Sequence, residues 1–297
     1  MAKFANTETE LITILKSSKE IYFNNNYYTI KTVAKPSSSH GEPKTDIFIE
    51  LENADKTEFI KISVKQKNAD FLENKMTSER AEVFFGTHWQ SIIEQSTLAI
   101  KNKFEKKPLI FKEKYRRTEK GAITLGWKYE FLNKLNGELS AEINIDLNEV
   151  YKGINLPDDK KNALINGCRV NESGVANYLL FVNATSDYEN AQNIIDKLIP
   201  IDEYIQKNPK VYFACKALNY RTMKVPAKWD GNRPLSVFVN WTILDGKLHH
   251  ELVYNSPLTI KGNEIAEKLK SVLYLLNIQT TDDITTNNLV DSTIVYK

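Results

Sequence analysis

Two strand-like runs joined by a short polar turn constrain this chain more than any other feature. Residues 46–51, Asp-Ile-Phe-Ile-Glu-Leu, and residues 59–65, Phe-Ile-Lys-Ile-Ser-Val-Lys, are rich in β-branched and aromatic side chains. Residues 53–56 between them are polar and short enough for a tight connection, so the pair predicts an antiparallel hairpin. Side chains two residues apart in a strand share a face, which puts Ser63 and Lys65 together at the end of one strand while Asp46 leads the other. A carboxylate and an ammonium can converge there.

The neighbouring segments extend this hairpin into a layered arrangement. Thr7 with Glu10 reads as a capping box ahead of Leu11, Ile14 and Leu15 at helical spacing. Residues 20–34 alternate around Tyr22, Tyr28 and Ile30 with a turn through Asn24, Asn25 and Asn26, and residues 35–44, KPSSSHGEPK, form an exposed loop. From Ala69 to about Lys101 the apolar spacing predicts two helices in series, broken at Gly86, and a short buried strand follows Pro108 at residues 109–111. Further on, residues 178–182, 210–215 and 235–243 read as strands and residues 190–198 and 264–277 as helices, with a loosely held polar tail after Ile278. The order helix, strand, strand, strand, helix, strand assigns the chain to the α/β class.

Bulk composition closes off several alternatives. With 41% hydrophobic and 26% charged residues in 297, the chain carries enough apolar surface for a folded core. No apolar run approaches the roughly 20 residues that cross a bilayer, and the N-terminus lacks the basic-then-apolar build of a secretory signal, so a cytoplasmic protein with no membrane partner is expected. Cys168 and Cys215 are too few and too isolated for a disulfide framework, and His249 and His250 have no partner at zinc-ligand spacing. Neither a Gly-x-Ser-x-Gly elbow nor a nucleotide-cradling glycine loop occurs.

The net charge of +2 conceals two basic tracts. Residues 101–120 carry nine Lys or Arg against three Glu, and residues 207–233 carry seven against Asp230 alone. Such tracts suit a polyanion. In the second, Arg221, Lys224, Lys228 and Arg233 are interleaved with Tyr220 and Trp229, which suits contact with a nucleic-acid backbone and base edges.

A carboxylate beside a cation meets part of what phosphodiester hydrolysis needs, and a divalent metal requires a second acid. The helical stretch after Lys65 offers Glu73, Glu79 and Glu82, of which Glu79 lies fourteen residues after Lys65 and precedes Arg80 in MTSERAEVFF. GEPKTDI followed by KISVKQ resembles the active site of the PD-(D/E)xK nuclease superfamily, to which type II restriction endonucleases belong. Ser63 stands where the usual motif has an acid. A subgroup cutting around a CCGG core is similar in carrying Ser-x-Lys with the acid moved to the next helix, at about the spacing of Glu79.

That resemblance implies a restriction-endonuclease-like core, a central mixed β-sheet flanked by helices, with additional C-terminal strands and helices. It implies Asp46 and Glu79 as ligands of Mg2+, Lys65 as the group that orients or deprotonates the attacking water, and Ser63 as the vacated acid position. Lys44, Gln66, Arg80, Arg116, Arg117, Arg221, Lys224, Lys228, Trp229 and Arg233 are the expected DNA contacts. Residues 1–135 would form the catalytic core and residues 136–297 the region for recognition and dimerisation. The implied protein cuts double-stranded DNA as a homodimer beside a cognate DNA methyltransferase. The competing readings are a non-catalytic DNA-binding protein on a nuclease-like fold and a defence or repair nuclease of loose specificity.

Overall fold

A computed structural model of the chain describes residues 2–66 and 71–297. It is a mixed α/β structure that divides into two compact units. The first comprises residues 1–70, 81–88 and 144–209, the second residues 71–80, 89–143 and 210–297, so neither coincides with the span 1–135 or 136–297. Among the described residues no helix is long and apolar enough to cross a membrane.

The first unit opens with helix α1 (Ala2–Ser17). It starts before the expected cap at Thr7, and Glu10 is engaged by the Thr185 hydroxyl, so the capping-box spacing here serves a tertiary contact. Strands β1 (Glu20–Phe23) and β2 (Asn26–Ala34) follow as the expected hairpin. Asn24 and Asn25 take φ of 46° and 62°, the left-handed conformation that a two-residue hairpin turn demands and that Asn tolerates best among residues with a Cβ. Strands β3 (Ile47–Glu52) and β4 (Thr57–Gln66) pair antiparallel, with Asn53 Oδ1 accepting the Asp55 and Lys56 N–H groups at 3.0 Å to close the turn.

These four strands continue through β4 to Tyr178–Val182, which runs parallel to it, and end at Ile199–Pro200. Ile47, Ile49 and Leu51 of β3 and Ile60, Ile62 and Val64 of β4 occupy alternate positions and join Leu11 and Leu15 of α1 in one core cluster. Strict alternation sends Ser63 and Lys65 to the opposite face of β4, as the sequence pattern requires.

Glu73 is not on a helix. Phe71–Glu73 is a strand, and the helical stretch begins at α2 (Ser78–Phe85), while the expected start at Ala69 lies outside the described residues. Helix α2 stops at Gly86, whose φ of 67° suits glycine, and a second helix runs over Trp89–Ala99.

The second unit is organised around Ala122–Leu132, a strand paired along its length with Val211–Arg221 and, near its middle, with Val237–Leu244. Ten of its eleven residues are buried, so it shows no polar alternation. At Gly126, φ is 153° and an added Cβ would sit 2.5 Å from the Val237 carbonyl oxygen, so only glycine allows this close approach. The expected loose tail is instead anchored: Ile284, Leu289 and Ile294 are buried, and Val295–Tyr296 pairs in parallel with Ile110–Phe111. Isolated apolar residues in a polar segment hold it down without creating a periodic signal.

Candidate active site on the first sheet

Asp46 stands one residue before β3. Its N–H donates to the Ile62 carbonyl at 2.8 Å, and its carboxylate Oδ2 accepts the Val64 N–H at 2.7 Å and the Ser63 hydroxyl at 3.4 Å. Where the backbone ladder between the strands ends, the side chain carries it one step further. The other oxygen, Oδ1, takes no hydrogen bond among the described residues and is the one available to a cation. Ser63 is 1% exposed beneath this contact and Lys65 is half-buried on the same face. The structure therefore brings together Asp46, Ser63 and Lys65 as the sequence suggests.

Burial raises the Asp46 carboxyl above its ordinary pKa, against the opposing pull of the Lys65 ammonium and of the Val64 N–H. Lys35 lowers it further and Glu42 raises it, so the carboxylate sits in a field of several charges rather than in a single pair. A partly desolvated carboxylate beside a cation has much to gain from a divalent ion.

Sequence reasoning missed Glu8. This residue lies in the middle of α1, its side chain is 12% exposed, and its Oε2 accepts from Lys35 Nζ at 2.6 Å. Burial raises its pKa and the Asp46 charge raises it again, which places a second carboxylate in the electrostatic reach of Asp46 within the first unit. No motif spacing links residues 8 and 46. A Glu on the otherwise apolar, core-facing side of a predicted helix was the only available signal.

Of the helix acids, Glu82 is engaged by Lys160, which is itself 4% exposed. Glu73 accepts the Arg80 Nε at 2.9 Å and the Lys75 N–H at 2.7 Å. Both rivals are thus committed to protein partners. Glu79 stands in the first turn of α2, in the part of that helix that belongs to the second unit.

The expected DNA contacts divide by exposure. Lys44 is 4% exposed with its ammonium 4.0 Å from the centre of the Phe84 ring, so it is packed inside the first unit rather than displayed to solvent. Gln66 is exposed at the end of β4. In the second unit Arg117 is exposed, while Arg116, also exposed, is ion-paired with Glu138. Arg221 is held by Asp230 at 2.6 Å and by Glu119 at 2.5 Å, and Lys224 reaches Glu119 at 3.1 Å. Glu119 comes from the other basic tract and neutralises a segment that looks acid-poor in sequence. Lys228 and Arg233 remain exposed, and Trp229 lies under Lys270 Nζ at 5.1 Å.

Among the described residues no group of three or more His, Cys, Asp or Glu side chains is gathered as for a metal ion. No family model matches the chain, and no curated protein or solved structure matches it either.

Proposed function

We propose that the chain is a magnesium-dependent DNA endonuclease of the restriction type, working from Asp46 and Lys65. The observation that carries this reading is the Asp46 carboxylate fixed by the Val64 N–H at 2.7 Å, with Oδ1 open and the Lys65 charge bearing on it. The surrounding topology supports it. A restriction-endonuclease-like core would use such a set of elements: a helix, antiparallel strands, and a parallel strand beside β4, which lies inside the six-stranded sheet.

Hard divalent cations take oxygen ligands and keep several waters, which suits a site offering carboxylates. Asp46 would hold magnesium through Oδ1, with Glu8 as a second carboxylate of the same unit. The resemblance gives the same role to Glu79, in the first turn of α2. Bound magnesium supplies a polarised phosphate oxygen and a more acidic water. Lys65, as an ammonium, would orient that water and stabilise the charge gathering on the phosphate, the water's proton passing to solvent. Exposed cations of the second unit, Arg117, Lys228 and Arg233, contact the DNA backbone.

Cutting both strands of a palindromic site calls for a homodimer with one active site per subunit, and the host would protect its own sites with a methyltransferase. Incubating plasmid with the protein and magnesium, then with EDTA, tests the reading. Discrete metal-dependent fragments support it. A metal-dependent smear points to a nuclease of loose specificity, and intact DNA in both arms points to a non-catalytic binder.

A further inference from the structure

The second unit contains a cavity of about 430 Å³ that the proposed chemistry does not use. That volume falls in the range of roughly 300–1,000 Å³ typical of small-molecule sites. Its wall is aromatic. Trp127 is 3% exposed and packs edge-on against Phe104 with ring centres 5.0 Å apart, and Tyr115 stacks on Phe111 at 6.0 Å. The Trp127 indole N–H makes no hydrogen bond among the described residues, whereas the equally buried Trp241 donates to the Thr124 carbonyl at 3.0 Å.

The rim is cationic. Lys107, Arg116, Arg117 and Lys216 line the cavity with Glu138 as the one carboxylate, and Lys107 and Arg116 share it. Lys216 Nζ is held over the cavity by the Asn136 carbonyl at 3.2 Å and its side-chain oxygen at 3.3 Å, both neutral partners, so its charge is not cancelled. Burial and the Arg116 charge together hold the Lys107 ammonium below its ordinary pKa, which an arriving anion would reverse. The Arg116 guanidinium lies 5.3 Å from the centre of the Tyr115 ring, bringing a planar cation to the aromatic wall.

We propose that this cavity binds one nucleotide, its base against the Trp127 and Tyr115 wall and its phosphate at Arg117 and Lys216. An aromatic slot with unbalanced positive charge at its mouth selects a flat ring bearing an anion over a purely apolar or a purely ionic ligand. The nucleotide has two chemical sources: a free monophosphate, or a residue turned out of a duplex. The proposal does not rest on cutting, since it concerns binding alone.

The test is run in EDTA, so that failure of the nuclease reading leaves it unaffected. Tryptophan fluorescence is followed during titration with each of the four deoxynucleoside monophosphates, with Trp127→Phe assigning the signal. In parallel, duplex DNA in which 2-aminopurine replaces a fraction of the adenines is titrated and its brightening recorded. Saturable quenching by a monophosphate, weakened about tenfold in Arg117→Ala, supports the site with a free nucleotide as its source. Brightening of the duplex alone, lost in Lys216→Ala, which has no part in the proposed backbone contacts, supports the site with an extruded residue as its source. Silence in both arms, or responses unchanged in both Arg117→Ala and Lys216→Ala, overturns the proposal. Arg117 is exposed, so its variant folds even where the buried Trp127 change does not.

Discussion

Asp46 and Val64 are joined side chain to backbone, the aspartate Oδ2 taking the valine N–H at 2.7 Å, so the strand itself sets where the carboxylate lies. Replacing Asp46 with Ala, or Lys65 with Ala, should abolish cutting while DNA binding persists. The expected loss is about 10²-fold or more in rate, the scale of removing one preorganised charge from a phosphoryl site. Plasmid cleavage and a gel-shift assay read the two properties separately. Near wild-type cleavage by either variant would remove the assignment.

The raised pKa of Asp46 carries a sign that can be checked. Folding favours the protonated carboxyl, so the cost of ionisation is fully present above the folded-state pKa, shrinks as pH falls through it and is gone below the ordinary, unfolded-state value. Asp46→Asn retains an acceptor for Val64 and cannot ionise, so it should melt higher than wild type at neutral pH, with the difference closing in acid. Cutting by the wild type should fail at a higher pH than an ordinary aspartate would give, because a cation needs the ionised form. A lower melting temperature for Asp46→Asn at neutral pH would show that Lys65 and the Val64 N–H outweigh burial.

Glu8→Gln should weaken magnesium binding with little change in fold, since the amide still accepts from Lys35. Isothermal titration with magnesium in the absence of DNA reads this directly. An unchanged affinity would return Glu8 to a structural ion pair with Lys35.

The three acids after Lys65 should separate into different phenotypes. Glu79→Ala should be as inactive as Asp46→Ala. Glu82→Ala strands the buried Lys160 ammonium and should lose roughly 3–5 kcal/mol of stability, seen in the denaturant midpoint. Glu73→Ala, whose partner Arg80 is half-exposed, should stay near wild type in both. Full activity in Glu79→Ala would show that the carboxylate comes from elsewhere, with Glu8 next to be tested.

In the basic tract, Lys228→Ala and Arg233→Ala should each lower the salt dependence of DNA binding by about one unit of slope. Arg221→Ala should leave that slope alone, because Asp230 and Glu119 already hold its charge. Equal effects from all three would mean that DNA displaces those acids.

Local pattern decided what the sequence disclosed. Period-two alternation made β3 and β4 legible and put Ser63 and Lys65 on one face, because one side of that sheet is a continuous aliphatic layer. The turn at Asn24 and Asn25 was legible for the same local reason. Ala122–Leu132 was not, since burial on both faces erases alternation. Phe71 and Leu72 imitated a helical pair at the edge of a stretch that is a strand. Glu8 and Glu119 act through tertiary contacts with Lys35 and with Arg221, which no spacing rule encodes.

The interleaving of the two units also orders events during synthesis. Residues 71–80 and 89–143 of the second unit emerge while the first still lacks Tyr178–Val182, the strand that covers the β4 edge. Until that strand leaves the ribosome, β4 is an open edge in a nascent chain already carrying several exposed apolar strands, the condition under which chains pair wrongly with one another. A stalled polypeptide ending near residue 143 should therefore be a strong client for chaperones, and slow codons placed after residue 182 should be tolerated far better than the same codons before it.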